Sequence, residues 1–179
     1  MAQENKDSKP PRRSMFQLDG FTNLSLRERV QYLADMVRKD PNFSGFDTYA
    51  LKSGVELIDA RPNFVKWEME IGPHLCNKSN NLHGGAAATI LDTLTSTALL
   101  TIARPGFLDG GHVSRTITMT YLRPVPNGSK VSIECEIQAA GRSLANIVGK
   151  IFVDGKLCVT CVHDKAVFAR QDQQQQAKL

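Results

Sequence analysis

The sequence predicts an α+β domain: one antiparallel sheet of about six strands covered by a single long helix, with an extra helix on its N-terminal side. Three observations lead there. Apolar residues alternate strictly with polar ones over Val65–Ile71 and again over Val131–Gln138, the period of half-buried strands. Between these runs lies "NNLHGGAAATILDTLTSTALLT", residues 80 to 101, the one long segment of helical composition in the domain. Hairpin-type turn signals then divide the C-terminal half, so its neighbouring strands should run antiparallel.

Taken in order, residues 1 to 20 are polar and contain prolines, and read as a disordered arm. Residues 21 to 45 form a peripheral helix. Its start is marked by the capping box Ser25-Leu26-Arg27-Glu28, its apolar stripe by Leu26, Val30, Leu33 and Val37, and its end by Asp40-Pro41. The domain proper spans 46 to 169. It opens with a short strand at Val55–Ile58, passes through "DARPN", and continues in the alternating strand from Val65. The long helix follows, closed by Arg104-Pro105-Gly106. Strands return at Val113–Leu122, with Ser114, Thr116, Thr118 and Thr120 expected in a row on one side, and at Val131–Gln138. The turns "AAGRS" and "VDGK" flank two more, at about 143 to 153 and 157 to 168. Two strands, one helix and four strands leave a sheet with one face to cover, and the long helix is the cover. Residues 170 to 179 read as a flexible tail.

Composition excludes several functions. Of 179 residues, 41% are hydrophobic and 22% charged, as in an ordinary globular chain, and a net charge of +4 with no basic run beyond Arg12-Arg13 is no nucleic-acid footprint. The segment 80 to 101 is too rich in Thr and Ser, and carries His83 and Asp92, so it should not span a membrane. The N-terminus has no apolar core of a secretory signal. Cys76, Cys135, Cys158 and Cys161 read as reduced, buried thiols; Cys158 and Cys161 should fall on opposite strand faces, and no metal ligands are assigned.

The long helix carries two chemical features. "HGG" at its start leaves backbone N–H groups unpaired and unobstructed by side chains, a favourable seat for an oxygen carrying negative charge. Asp92 lies further along in an apolar setting, where a carboxylate costs free energy unless donors surround it. The bland explanation is that Thr89, Thr93 or Ser96 supply those donors and Asp92 merely steadies the helix. Gly84 and Asp92 are about 12 Å apart along the axis and about 80° around it, too far to reach one reacting carbon. Two antiparallel copies of the helix could bring them together, so a shared site would lie between subunits of a symmetric dimer.

The stretch "NKSNNLHGGAAATILDTLTSTALL" resembles the core motif of hotdog-fold acyl-CoA thioesterases, of the type found in phenylacetate degradation and in small thioesterase-superfamily proteins of eukaryotes. The pattern is Asn77, then His83-Gly84-Gly85, then Asp92, with Ser114 ahead of a strand ending in Thr-Tyr. The resemblance covers residues 50 to 168. It implies a hotdog fold, hydrolysis of fatty or aromatic acyl-CoA, and no cofactor beyond the coenzyme A of the substrate. By the same resemblance, the Gly84 N–H and the Asn77 amide polarise the thioester carbonyl, Gly85 lies at the same substrate-facing turn, and Asp92 of the other subunit activates water or attacks directly. Ser114 then places the water or the carboxylate, and His83 shapes the helix start. Arg115, Arg123, Arg142, Lys150 and Lys165 are candidates for coenzyme A phosphates, Arg115 and Arg142 foremost. Two alternatives on the same fold are a non-catalytic acyl-CoA-binding protein and a dehydratase or hydratase acting on the acyl chain. The last three residues, Ala-Lys-Leu, resemble a peroxisomal address read by an import receptor, with the cytoplasm as the other location.

Overall fold

The computed structural model describes residues 24–39, 45–51, 54–104, 106–108 and 111–167. The arm at 1 to 20, the tail at 170 to 179 and its Ala-Lys-Leu lie outside these residues. Helix α1 spans Leu26–Lys39 and a short α2 spans Phe46–Ala50. Strands β1 (Glu56–Arg61) and β2 (Phe64–Glu70) precede helix α3 (Gly84–Ala98). Strands β3 (His112–Tyr121), β4 (Lys130–Ala140), β5 (Leu144–Val153) and β6 (Lys156–Val167) follow. The expected order of two strands, a helix and four strands is the one found; α2 has no signal in the sequence.

The six strands form one antiparallel sheet in the order β1-β2-β4-β5-β6-β3. Alternation sets which residues face the helix. Val65, Trp67 and Met69 of β2 and Val131, Ile133 and Cys135 of β4 are buried, while the residues between them are wholly or partly exposed. Helix α3 lies across this buried face and turns Ile90, Leu91, Leu94 and Ala98 into the core. Near its end the Trp67 indole N–H donates to Thr97 Oγ1 at 3.3 Å. Helix and sheet come close at Gly149 of β5: a Cβ there would lie 2.8 Å from Cys161 Sγ and 2.9 Å from Thr95 Cγ2. Glycine is the residue that lets helix and sheet approach so closely.

The α-helical geometry of α3 ends at Ala98, before Arg104, and tightens into a 3₁₀ turn over Leu99–Thr101. Helix α1 starts as its capping box predicts: Ser25 N–H donates to the Glu28 carboxylate at 2.7 Å, and Glu28 N–H to Ser25 Oγ at 3.3 Å. It docks on β1 and on the end of α3 through buried Val30, Arg27 donating to the Leu57 carbonyl and Arg29 to the Ala103 carbonyl. The Asp154-Gly155 hairpin has positive φ at both residues, as its sequence demands. Cys158 and Cys161 are both buried rather than on opposite faces, because a bulge in the β5–β6 pairing between Ile151 and Phe152 shifts the alternation between them.

Candidate active site

The start of α3 is shaped by the loop before it. The Asn77 side-chain Oδ1 accepts the N–H groups of Ser79 and Asn81, at 2.9 and 3.2 Å, which closes the turn and leaves the side-chain NH₂ as the group able to donate. His83 is the N-cap: its Nδ1 accepts Gly85 N–H at 3.0 Å, and its own N–H is tied to the Leu75 carbonyl. With Gly85 so engaged, the Gly84 N–H, like that of Ala86, forms no hydrogen bond among the described residues. Tyr121, at the end of β3, donates its hydroxyl to the Gly84 carbonyl at 2.9 Å. Its ring lies 3.3 Å from where a Gly84 Cβ would be. A cleft of about 460 Å³ opens here, lined by Asn77, Gly84, Ala87, Tyr121 and Arg123.

Asp92 sits two turns along, and its setting differs from the expectation. In the single chain its side chain is 42% exposed, and one carboxylate oxygen is turned to polar groups of the sheet. The neighbouring helix hydroxyls do not supply its donors. Thr89, Thr93 and Ser96 bond instead to the carbonyls of Gly85, Thr89 and Asp92. The donor is Ser114, whose hydroxyl meets Asp92 Oδ1 at 2.5 Å. His163 Nε2 approaches the same oxygen to 3.2 Å, a charge-dipole contact rather than an aligned hydrogen bond. Lys165 Nζ lies 4.0 Å from it and 3.1 Å from Ser114 Oγ.

Ser114 reaches Asp92 because of a β-bulge. It pairs with Lys165 of β6 whereas Thr116 pairs with Asp164, and the register shifts between them. Cross-strand partners share a face. Ser114 therefore points toward the helix with Lys165, and the row with Thr116, Thr118 and Thr120 predicted from the sequence is broken.

His163 and His112 complete this pocket, both largely buried. His163 Nδ1 lies 2.7 Å from Thr95 Oγ1, which also lies 2.6 Å from the Leu91 carbonyl. Burial, then the Lys165 ammonium, pushes His163 down to about 4 against the pull of Asp92; burial, then Lys165 and His163, does the same to His112. Both are neutral at neutral pH.

The structure thus brings Asp92 and Ser114 together at one point of α3, and Asn77, His83, Gly84 and Gly85 at another. It does not bring Arg115 or Arg142 to either. Arg115 is exposed beside a groove with Ala140, Asn146 and Asp164, and Arg142 is exposed in the β4–β5 turn. Lys165 is buried to 3% exposure and faces Asp92, so it is no phosphate contact. Sequence reading missed His163, His112, Thr95 and Tyr121. The first was signalled: Cys161, His163, Lys165 and Val167 are alternate residues of one strand, and two of them are apolar. Among the described residues no His, Cys, Asp and Glu cluster could hold a metal ion, and no helix is long and apolar enough to cross a membrane.

One long helix laid across an antiparallel sheet, with chemistry at its glycine-flanked start and on its exposed flank, defines a hotdog protein. The family profile described as "Thioesterase superfamily" matches residues 79–160. Human acyl-coenzyme A thioesterase 13 is 30% identical over 112 residues, 57% of this chain and 76% of that protein; the mouse protein of the same name is 29% identical over 137 residues, 71% and 92%. Among solved structures, zebra fish thioesterase superfamily member 2 superposes with a TM-score of 0.67 at 26% identity, covering 81% of this chain and 99% of that one. The E. coli PaaI protein of the phenylacetic acid degradation operon shares the fold, with a TM-score of 0.61 at 17% identity over 76% and 92%. The chain belongs to the thioesterase superfamily.

Proposed function

We propose that this protein hydrolyses acyl-CoA thioesters to a free acid and coenzyme A, at sites shared between two subunits. The observation that carries this reading is Asp92, held by Ser114 at 2.5 Å on the exposed flank of the helix whose start offers the Gly84 N–H. Relatives named acyl-coenzyme A thioesterases support the substrate class.

In the reaction, the Gly84 N–H and the Asn77 amide of one subunit bind the carbonyl oxygen as it gains charge. Asp92 of the other removes a proton from water as the water oxygen attacks the carbonyl carbon. The tetrahedral centre collapses, the C–S bond breaks, and the leaving thiolate takes the proton Asp92 had gained, which restores the carboxylate. An oxyanion donor in place before reaction contributes about 10²- to 10³-fold in rate, and a positioned base about 10²- to 10⁴-fold.

A second copy is needed because Gly84 and Asp92 are about 12 Å apart on one helix. Edge strand β3 offers the surface. It lies at the end of the sheet, and Val113, Tyr121 and the adjoining Leu122 are exposed on it. A dehydratase would need a second acid or base open to the acyl chain, and His163, the imidazole beside Asp92, is fully buried.

Thiol release measured across short, medium, long and aromatic acyl-CoAs tests the proposal. Turnover is expected with at least one class, and Asp92→Asn should lower kcat by about 10²- to 10⁴-fold without unfolding the protein. Tight acyl-CoA binding without thiol release would instead point to the non-catalytic alternative.

A further inference from the structure

Lys165 is among the most deeply buried polar side chains described, at 3% exposure, and a charged ammonium at that depth is costly unless anions and acceptors meet it. Its surroundings are those of the Asp92 half-site. Strand β3 presents His112 and Ser114, β6 presents His163, and α3 presents Asp92 and Thr95; Asp164 lies on the outer face of the same β6 strand. With both histidines neutral at neutral pH, Lys165 supplies the positive charge that faces Asp92.

The hydrogen bonds between these groups have one consistent direction. An ammonium can only donate, so Ser114 Oγ accepts from Lys165 Nζ at 3.1 Å. A serine hydroxyl has a single proton, and the 2.5 Å contact gives that proton to Asp92 Oδ1. The ammonium 4.0 Å from that oxygen reinforces the arrangement. Oδ1 is then occupied from the sheet side, and Oδ2 is the oxygen left to take a proton from water.

We infer that Lys165 is a positioning residue for the reaction: acting through Ser114, it fixes the hydroxyl proton on Asp92 Oδ1 and so presents Oδ2 as the base. This rests on the proposed role of Asp92. Lys165 touches no substrate; its effect belongs in kcat and not in KM.

The test is a double-mutant cycle on the full-length protein with Lys165→Met, Ser114→Ala and both together, with folding checked by thermal melting. Lys165→Met is expected to lower kcat by about 10- to 100-fold while KM stays within about twofold, and the double variant to be no slower than the slower single variant. If Lys165→Met does not fold, Lys165→Gln, which keeps a donor but loses the charge, carries the same cycle. An independent arm needs no substrate: proton NMR of the histidine rings should show His112 and His163 titrating above their wild-type position near 4 once the ammonium is gone. Wild-type protein that releases thiol from no acyl-CoA defeats the proposed function itself. An active wild type overturns the role of Lys165 alone if Lys165→Met keeps its kcat, if the losses at 114 and 165 multiply, or if the histidine titrations do not move.

Discussion

A carboxylate in an apolar stretch of helix demands donors, and Asp92 finds them in the sheet: Ser114 across a 2.5 Å hydrogen bond, with His163 and Lys165 behind. The need for such donors was legible from Asp92 alone. Ser114 was reached only through the family resemblance, and the two groups behind it, His163 and Lys165, lie 71 and 73 positions further along the chain and were not placed beside Asp92. The same pocket makes stability depend on pH. His112 and His163 are held near 4, below the ordinary histidine value of 6.5, so the unfolded chain binds more protons between those limits. Stability should be full above about pH 6.5 and fall by a few kcal/mol as the pH is lowered toward 4. Urea unfolding across pH 4 to 7 checks this, with His163→Gln expected to flatten the slope. An unchanged midpoint between pH 7 and pH 4.5 would count against neutral buried histidines.

At the scale of the element, strand alternation and turn chemistry were read directly. Val65-Trp67-Met69 and Val131-Ile133-Cys135 face the helix as their period requires, and the Asp154-Gly155 turn forms as its residues dictate. The β-bulges were not readable, and two of them matter here, because one extra residue reverses the facing of everything beyond it without changing composition. One bulge takes Ser114 out of its threonine row and turns it to Asp92; the other buries both Cys158 and Cys161. The helix–sheet crossing at Gly149 was equally silent, since one glycine in a strand pattern does not say what approaches it. Gly149→Ala should cost about 1 to 3 kcal/mol, as its methyl would press on Cys161, Thr95 and Leu91. Thermal or urea melting measures the loss. Activity should fall as well, because Thr95 supports His163. A variant as stable as wild type would show that the helix is not seated as closely as described.

For the whole molecule, one helix carries two half-sites about 12 Å apart, and the edge strand β3 carries Ser114 beside one and Tyr121 beside the other. The proposal that a second copy is required rests on helix geometry, and the spacing of Gly84 and Asp92 in the sequence is what suggests it. In the proposed symmetric dimer there would be two equivalent sites, each with Asn77 and Gly84 from one subunit and Asp92 from its partner. Subunit complementation measures this most directly. Asn77→Ala and Asp92→Asn proteins, each inactive alone, are unfolded together, refolded as a mixture and assayed for thiol release. Random pairing gives half heterodimers, each with one intact site, so activity should return to about a quarter of wild type. A mixture that forms heterodimers and stays inactive would contradict a site built from two subunits.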